Sequence, residues 1–226
     1  MKSAVLFSGG KDSCLALQYA LKAGEVKCLI TLVSENTASY MFHTPNISLA
    51  AKQAEAIGLP LVLEKTKGIK EEELVDLERA IKRAKAEFGI EAVFTGALAS
   101  VYQASRVQKI CDKLGLKCVN PLWQKDQIEL LKEVVHNKFE VFVVGVFAEG
   151  LETFIARKID DKFIADIKKV VEKYKINPAG EGGEIETFVA DAPFFRKKIV
   201  VEKSHVVADE AGGRVLVLDK IKLLDK

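Results

Sequence analysis

The sequence predicts an α/β protein: a doubly wound parallel sheet followed by a smaller α+β domain. In the first half, short apolar segments alternate with amphipathic ones, and glycines lie between them. Strands separated by helices in this way form parallel sheets through right-handed crossovers, with helices on both faces. From residue 197 onward apolar and polar side chains alternate instead, which is typical of antiparallel strands. We therefore expect two domains, 1–124 and 125–226, in this chain of 226 residues.

The elements of the first domain follow from apolar spacing and from the glycines that end helices. Apolar residues three or four apart predict a helix, and a left-handed glycine is a common end to one. On this basis we predict strands over 4–7, 26–33, 61–63, 92–94 and 116–119, and helices over 14–23, 47–57, 71–88 and 101–114. In the second domain we predict helices over 127–136 and 160–174, and strands over 139–147, 187–189, 197–207 and 214–224.

Composition excludes several classes of protein. The net charge is only +2 and charges of both signs alternate along the helices, which disfavours a nucleic-acid partner. No apolar segment is long enough to cross a bilayer and the N-terminus lacks a signal-peptide pattern, so we expect a cytoplasmic protein. The four cysteines form no C-x-x-C pair, which disfavours a zinc or iron–sulfur site; Cys14 and Cys28 have apolar neighbours typical of the core.

The junction between the first strand and its helix is the strongest functional signal. It consists of small and charged residues: Ser8, Gly9, Gly10, Lys11, Asp12 and Ser13, here called the SGGKDS loop. Glycines at a helix N-terminus expose backbone N–H groups to a phosphate, the two serines add hydroxyl donors, and Lys11 adds positive charge. A carboxylate beside a phosphate, here Asp12, is suited to Mg²⁺. A glycine turn that binds nothing is the alternative.

A second group of polar residues follows the strand at 92–94, where ligands of parallel sheets bind. It comprises Gly96, Ser100, Tyr102, Gln103 and Arg106. Arg106 could bind a phosphate or carboxylate in bidentate fashion, the alternative being an ion pair with an acidic residue. Ser100 could bind a ligand or cap the helix that begins there.

Two further segments carry candidate residues. Glycines and carboxylates alternate at 177–186, and Glu181 and Glu184 could bind a metal, bind an ammonium group or act as a base. An acidic surface turn is the alternative there. His43 follows the strand at 26–33, but a lone histidine is more often structural than catalytic.

These motifs together resemble a known family. The SGGKDS loop is similar to the pyrophosphate loop of N-type ATP pyrophosphatases, which cleave ATP between the α and β phosphates. With it, the segments YMFHT, TGALASVYQASR, LGLKCVNPLW and EGGEIETFVADAPFF resemble the diphthine–ammonia ligases, which amidate diphthine on translation elongation factor 2. One departure is Ala97, where that family often has Asp.

The resemblance implies a fold, a chemistry and partners. It implies an adenine nucleotide alpha hydrolase-like, Rossmann-like ATP-binding domain and a C-terminal substrate-binding domain. ATP and Mg²⁺ are the implied cofactors; ammonium and an elongation factor 2 that carries diphthine are the implied partners. The residues implied to act in catalysis are Lys11, Asp12, Arg106, Glu181 and Glu184.

Other hypotheses stay open from the sequence. The acceptor could be a cobalamin-related small molecule, although the EGGE core argues against it. A tRNA-modifying enzyme is disfavoured by the small net charge. An ATP-binding regulator without catalysis is disfavoured by the complete SGGKDS loop. The sequence also leaves a homo-oligomer open.

Overall fold

The computed structural model describes residues 1–34, 46–69, 71–208 and 212–226. The chain divides into two compact units, Met1–Trp123 and Gln124–Lys226. Within the described ranges, no helix combines the length and the apolar character needed to cross a membrane.

Unit 1 is built on a five-stranded parallel sheet with the order β3-β2-β1-β4-β5. Its strands are β1 (Lys2–Leu6), β2 (Glu25–Ser34), β3 (Leu61–Thr66), β4 (Ala92–Phe94) and β5 (Lys117–Val119). Its helices are α1 (Lys11–Ala23), α2 (Ala50–Ile57), α3 (Glu73–Phe88) and α4 (Val101–Lys113). The predicted doubly wound parallel sheet is confirmed.

The core of unit 1 explains why these segments pair. The strands are apolar on both faces, as strands covered by crossover helices must be. One core cluster joins small and branched side chains of β1, β2, β3 and β4 to the buried stripes of α3 and α4: Ala4, Cys28, Ile30, Leu32, Val62, Leu77, Ala80, Ile81, Ala84, Val93, Val107, Ile110 and Cys111.

The strand order places a topological switch point between β1 and β4. The chain adds β2 and β3 on one side of β1, and then adds β4 and β5 on the other side. Crevices outside the carboxyl ends of strands at such a point are where open α/β sheets bind ligands. The loops that follow β1 and β4 border this crevice.

Unit 2 contains a four-stranded antiparallel sheet with the order β7-β6-β9-β8. Its elements are α5 (Gln127–His136), β6 (Glu140–Val146), α6 (Asp161–Tyr174), β7 (Ile185–Asp191), β8 (Lys197–Ala208) and β9 (Arg214–Asp225). β8 and β9 form a long hairpin, as the two-residue alternation predicts. The predicted α+β character of the second half is confirmed.

Several helix boundaries differ from the prediction by one to three residues; α2, for example, begins at Ala50 instead of residue 47, after a 3₁₀ turn over Ile47–Leu49. Helix α1 begins at Lys11 rather than at residue 14, because Gly10 takes the extended conformation of an N-cap (φ −79°, ψ 168°). Lys11, Asp12 and Ser13 are therefore the first turn of the helix and not loop residues. Helix α3 begins at Glu73 instead of residue 71, because Glu71 is left-handed (φ 69°) and cannot continue a right-handed helix.

Candidate functional site

The SGGKDS loop makes a tight turn at Gly9. This residue has a left-handed conformation (φ 79°), and its carbonyl accepts a hydrogen bond from Gln53 Nε2 at 2.9 Å. A Cβ atom at Gly9 would lie 1.8 Å from Gln53 Oε1, so a side chain is excluded by both the backbone and the neighbour. Gln53 lies on α2 and is almost fully buried. Sequence reasoning missed it, because a lone glutamine in a helix carries no motif.

The two serines of the loop bond to each other. Ser13 Oγ donates to the Gly10 carbonyl at 3.0 Å and accepts the Ser8 N–H at 3.2 Å, while Ser8 Oγ lies 3.2 Å from Ser13 Oγ. A hydroxyl has one proton to donate. Ser13 therefore braces the turn in this structure, and its predicted bond to a phosphate stays a prediction.

Helix α1 differs from three other helices at its N-terminus. Side chains of Ser100, Asp126 and Asp160 cap α4, α5 and α6 by accepting a backbone N–H. In the part of the chain that is described, no side chain caps α1, whose N-cap is Gly10. The helix dipole and the first-turn N–H groups thus favour an anion at this position.

Lys11 and Asp12 form an ion pair of 2.9 Å in the first turn of α1. The Lys11 side chain is 3% exposed, and Asp12 Oδ2 is its partner. The other carboxylate oxygen, Asp12 Oδ1, is buried and has no hydrogen-bond partner among the described residues. A buried acceptor without a donor is suited to a hard cation.

A single carboxylate oxygen, Asp12 Oδ1, fits a magnesium ion whose other ligands are water and phosphate oxygens. The described ranges contain no group of three or more His, Cys, Asp or Glu side chains that could hold a metal. Mg²⁺ commonly takes one or two carboxylates and completes its shell with water and substrate phosphates. Asp12 Oδ1 would be the protein ligand in such an arrangement.

The loop after β4 lies directly against α1. A Cβ atom at Gly96 would lie 2.8 Å from the Asp12 carbonyl carbon and 2.9 Å from the Ser13 nitrogen. This strand end is fixed by Thr95, whose hydroxyl donates to Asn120 Oδ1 at 2.5 Å. The structure therefore brings together the SGGKDS loop and Gly96, two features that lie far apart in the sequence.

Ser100 occupies the N-cap of α4. Its Oγ accepts the backbone N–H of Gln103 at 3.3 Å. Of the two roles considered for Ser100, the structure shows helix capping. The backbone N–H of Gln103 is the donor in that cap. Ligand binding by these two residues stays a prediction.

Arg106, Tyr102 and Glu71 form one cluster. Arg106 Nη2 and the Tyr102 hydroxyl both donate to Glu71 Oε1, at 2.8 and 2.7 Å, and the guanidinium carbon lies 3.7 Å from the Tyr102 ring centroid. The hydrogen bonds to Glu71 raise the pKa of Arg106 and the pKa of Tyr102. The ion-pair alternative for Arg106 is thus present, and its contact with a phosphate stays a prediction. Glu71 was not among the predicted site residues.

Cys14 and Cys28 are buried thiols, as predicted. Burial raises the pKa of Cys14 above its ordinary value and raises the pKa of Cys28 to about 12. Cys14 follows the SGGKDS loop directly, but a thiol that stays protonated at neutral pH is a poor nucleophile. His43, the histidine considered from the sequence, lies outside the described residues.

The second glycine-rich segment, called the EGGE loop (residues 177–184), is closed by its own carboxylate. Glu184 accepts three N–H donors: the Asn177 backbone at 3.0 Å, Asn177 Nδ2 at 2.7 Å and the Gly182 backbone at 2.8 Å. Gly180 and Gly183 have left-handed conformations, and a Cβ atom at Gly180 would lie 2.4 Å from the Ile185 carbonyl oxygen. Glu184 therefore organises the loop.

Glu181 lies between these two glycines and is half-buried. Its predicted roles, and those predicted for Glu184 in binding or proton transfer, stay predictions.

The fold and the site together define a class of protein. An open parallel sheet with a glycine-bounded, uncapped helix at its switch point is the arrangement of nucleotide-binding α/β proteins. Comparison with protein families gives two matches: the diphthamide synthase N-terminal domain over residues 1–118 and the diphthamide synthase C-terminal domain over residues 126–223. The chain belongs to the diphthamide synthase family.

Curated relatives support this assignment along the whole chain. A diphthine–ammonia ligase of Schizosaccharomyces pombe is 37% identical over 247 residues, covering all of this chain and 40% of the relative. The human diphthine–ammonia ligase is 32% identical and covers 93% of this chain and 86% of the relative. The zebrafish enzyme of the same name is 33% identical, covering 92% and 89%. This chain thus spans less than half of the fission-yeast protein and most of the vertebrate ones.

Two solved structures have a weaker likeness. A Methanocaldococcus jannaschii protein described as a predicted subunit of tRNA methyltransferase is 20% identical with a TM-score of 0.46, covering 85% of this chain and 98% of that one. A 4-thiouridine synthetase in complex with RNA and ATP is 19% identical with a TM-score of 0.41, covering 83% and 55%. The fold class stated above rests on the sheet topology and not on these two likenesses.

Proposed function

We propose that this chain is a diphthine–ammonia ligase that uses ATP to amidate diphthine on elongation factor 2 and releases AMP and pyrophosphate. The observation that carries the proposal is the match of both family domains, in order, along one chain. The human relative, whose length the chain largely covers, has this activity as its name. The acyl-adenylate, the metal ion and the residue roles below are our own proposals.

The chemistry follows from the bond to be made. A carboxylate does not condense with ammonia in water, because its oxygen is a poor leaving group and its charge repels a nucleophile. In the proposed first step a diphthine carboxylate oxygen attacks the α-phosphorus of ATP, and the bond to pyrophosphate breaks. In the second step ammonia attacks the acyl carbon, the bond to AMP breaks, and the extra proton on nitrogen passes to a base or to water.

Unit 1 is suited to holding the triphosphate. The uncapped first turn of α1 offers backbone donors. The missing Cβ atoms of Gly9 and Gly96 let Gln53 and the loop after β4 pack closely around this turn. The Lys11 ammonium adds positive charge beside the backbone donors. Stabilising the charge that develops at the phosphates is where such a site contributes most to the rate. Arg106 would contribute to this through guanidinium N–H groups other than the Nη2 donor that bonds Glu71.

Asp12 is the residue that would hold Mg²⁺. Its buried oxygen without a hydrogen-bond donor is the supporting observation. When bound, the ion would neutralise charge on the phosphates. The pairing of the other oxygen with Lys11 orients the Asp12 carboxylate.

The EGGE loop is suited to the acceptor. Diphthine carries a trimethylammonium group, and carboxylates bind such cations without needing a hydrogen bond. Because Glu184 accepts three donors of its own loop, we assign it the role of shaping the loop. We assign the contact with a cationic group to Glu181, a second, half-buried carboxylate of the same loop.

The test mixes the purified chain with Mg-ATP, ammonium and an archaeal elongation factor 2 that carries diphthine. We expect AMP and pyrophosphate, together with the mass change of an acid becoming an amide, only when all components are present. AMP formation without amidation would keep the adenylation chemistry but contradict the acceptor. Intact ATP under every condition would contradict the ligase and favour an ATP-binding regulator.

A further inference from the structure

One side chain of helix α5 is attached to the EGGE loop at two points. Gln127 Oε1 accepts the backbone N–H of Ala179 at 3.0 Å, and Gln127 Nε2 donates to Asn177 Oδ1 at 3.1 Å. These partners lie about fifty residues away along the chain, and Gln127 is the first residue of its helix. Both polar atoms of a single amide therefore hold one loop.

The hydrogen bonds continue from Gln127 to the centre of the loop. Asn177 accepts from Gln127 with its oxygen and donates with its nitrogen to Glu184 Oε1, and Glu184 Oε2 accepts the Gly182 N–H. An ionised carboxylate can only accept, so Asn177 must direct its nitrogen toward Glu184 and its oxygen toward Gln127. The orientation of each amide is thus fixed by the carboxylate at the end of the series.

We propose that Gln127 is a positioning residue of the EGGE loop, acting through Asn177 on Glu184 to hold the loop in the shape that binds the acceptor substrate. The proposal rests on the function proposed for this loop above. It adds to the reaction a residue that lies outside the glycine-rich segment.

The variant Gln127→Glu tests this with little change in shape. A carboxylate at the first position of a helix is favoured by the helix dipole, so α5 should tolerate it. The new oxygen would face Asn177 Oδ1, an acceptor against an acceptor. Reversal of the Asn177 amide would relieve this only by turning its oxygen toward the Glu184 carboxylate. Either arrangement loses a bond that shapes the loop.

The matched control is Gln108→Glu. Gln108 lies on α4 in unit 1 and donates from Nε2 to Asp112 Oδ1 at 2.7 Å. The control therefore makes the same chemical change and also places an acceptor against an acceptor, here the carboxylate of Asp112. It does so on an exposed helix surface outside the EGGE loop.

Two readouts are measured on the full chain. We expect the KM for diphthine-bearing elongation factor 2 to rise about tenfold in Gln127→Glu, with the KM for ATP unchanged. The loop would spend a smaller fraction of the time in the conformation that binds the acceptor. Hydrogen exchange at the amides of Ala179 and Gly182 should become about tenfold faster for the same reason. Gln108→Glu should change neither quantity.

Several results would overturn the proposal. Unchanged amide exchange at Ala179 and Gly182 would show that Gln127 does not hold the loop. An equal rise in the KM for ATP would indicate a general loss of structure instead. In the double variant Gln127→Ala/Glu184→Ala, the rise in the KM for diphthine-bearing elongation factor 2 should be smaller than the product of the rises in the two single variants. The second substitution acts on a loop whose hydrogen bonds the first has already disrupted. Independent, multiplicative losses would also contradict the proposed coupling.

The test separates this proposal from the function it rests on. If the wild-type chain forms neither AMP nor amide, the proposed function fails. The exchange of Ala179 and Gly182 still reports on Gln127 in that case, because it requires no substrate.

Discussion

The two glycine-rich loops of this protein use the same residue types in opposite ways. In the SGGKDS loop, the N-cap of α1 is Gly10, which has no side chain to cap the helix, and an uncapped helix N-terminus favours an external anion. In the EGGE loop, the backbone donors converge on Glu184, an anion that belongs to the loop itself. The first loop is therefore suited to phosphate, whereas the second already contains its negative charge and is suited to a cationic group.

This difference shows that glycine content alone does not identify a phosphate site. Both loops have left-handed glycines, Gly9 in one and Gly180 and Gly183 in the other. What separates them is the position of the nearest carboxylate relative to the backbone donors. Asp12 is directed to Lys11, whereas Glu184 accepts the donors of its own loop.

The largest effect should come from filling the space at Gly96. In Gly96→Val, the new Cβ would lie within 3 Å of the backbone of Asp12 and Ser13 and would displace the first turn of α1. A displacement of about 1 Å near the reacting groups costs about a hundredfold in rate, so ATP-dependent AMP formation should fall by at least that much. Product analysis by chromatography measures it.

Gly89→Ala is the control for Gly96→Val. Gly89 has a left-handed conformation (φ 62°), but an added Cβ there would meet nothing within 4 Å. It should lower the melting temperature slightly through backbone strain and leave AMP formation unchanged. Equal activity of the two variants would contradict the close approach of Gly96 to the phosphate site.

The next largest effect concerns the charge of Asp12. Asp12→Asn keeps the shape of the first turn but removes the anionic oxygen that we assign to Mg²⁺. We expect AMP formation to fall by about a hundredfold, with a higher Mg²⁺ concentration needed for half-maximal rate. Initial rates across a magnesium titration provide the measurement.

Asp161→Asn is the matched control, since Asp161 also lies in the first turn of a helix, α6 in unit 2. That change should leave the magnesium dependence as it is in the wild type. If Asp12→Asn retained full Mg²⁺-dependent turnover, the proposed role of Asp12 would be abandoned.

A moderate effect is expected in the second loop. In Glu184→Gln, the amide nitrogen would replace one carboxylate oxygen and would face an N–H donor of either Asn177 or Gly182. The loss of a bond to a charged acceptor should lower amidation about tenfold, while the KM for ATP stays constant. Glu172→Gln, on the exposed surface of α6, controls for the loss of one negative charge. Unchanged amidation in Glu184→Gln would contradict a role for this loop in the reaction.

Much of the fold and part of the site could be predicted from the sequence. The alternation of strands and helices predicted the parallel sheet, and the SGGKDS motif predicted a glycine turn between β1 and α1. Phosphate binding at that turn stays a prediction. Gln53, Glu71 and Gln127 could not be predicted, because each reaches its partner across more than thirty residues of chain. A lone polar residue on a helix resembles any solvated one until the fold shows what faces it.

The smallest effect on activity should come from substituting Ser13. This substitution tests whether the Ser13 hydroxyl only stabilises the loop or also bonds the phosphates of ATP. Ser13→Ala removes the hydroxyl that accepts the Ser8 N–H and donates to Gly10, at a cost of about 1 kcal/mol, or about fivefold in the KM for ATP. Ser105→Ala is matched to it, because the Ser105 hydroxyl also donates to the carbonyl three residues before it, here Tyr102. If Ser13 only braces the loop, saturating ATP should restore the full rate of Ser13→Ala. If the hydroxyl instead bonds the phosphates as they react, the loss should persist in kcat, because a contact made in the transition state is not replaced by higher substrate concentration.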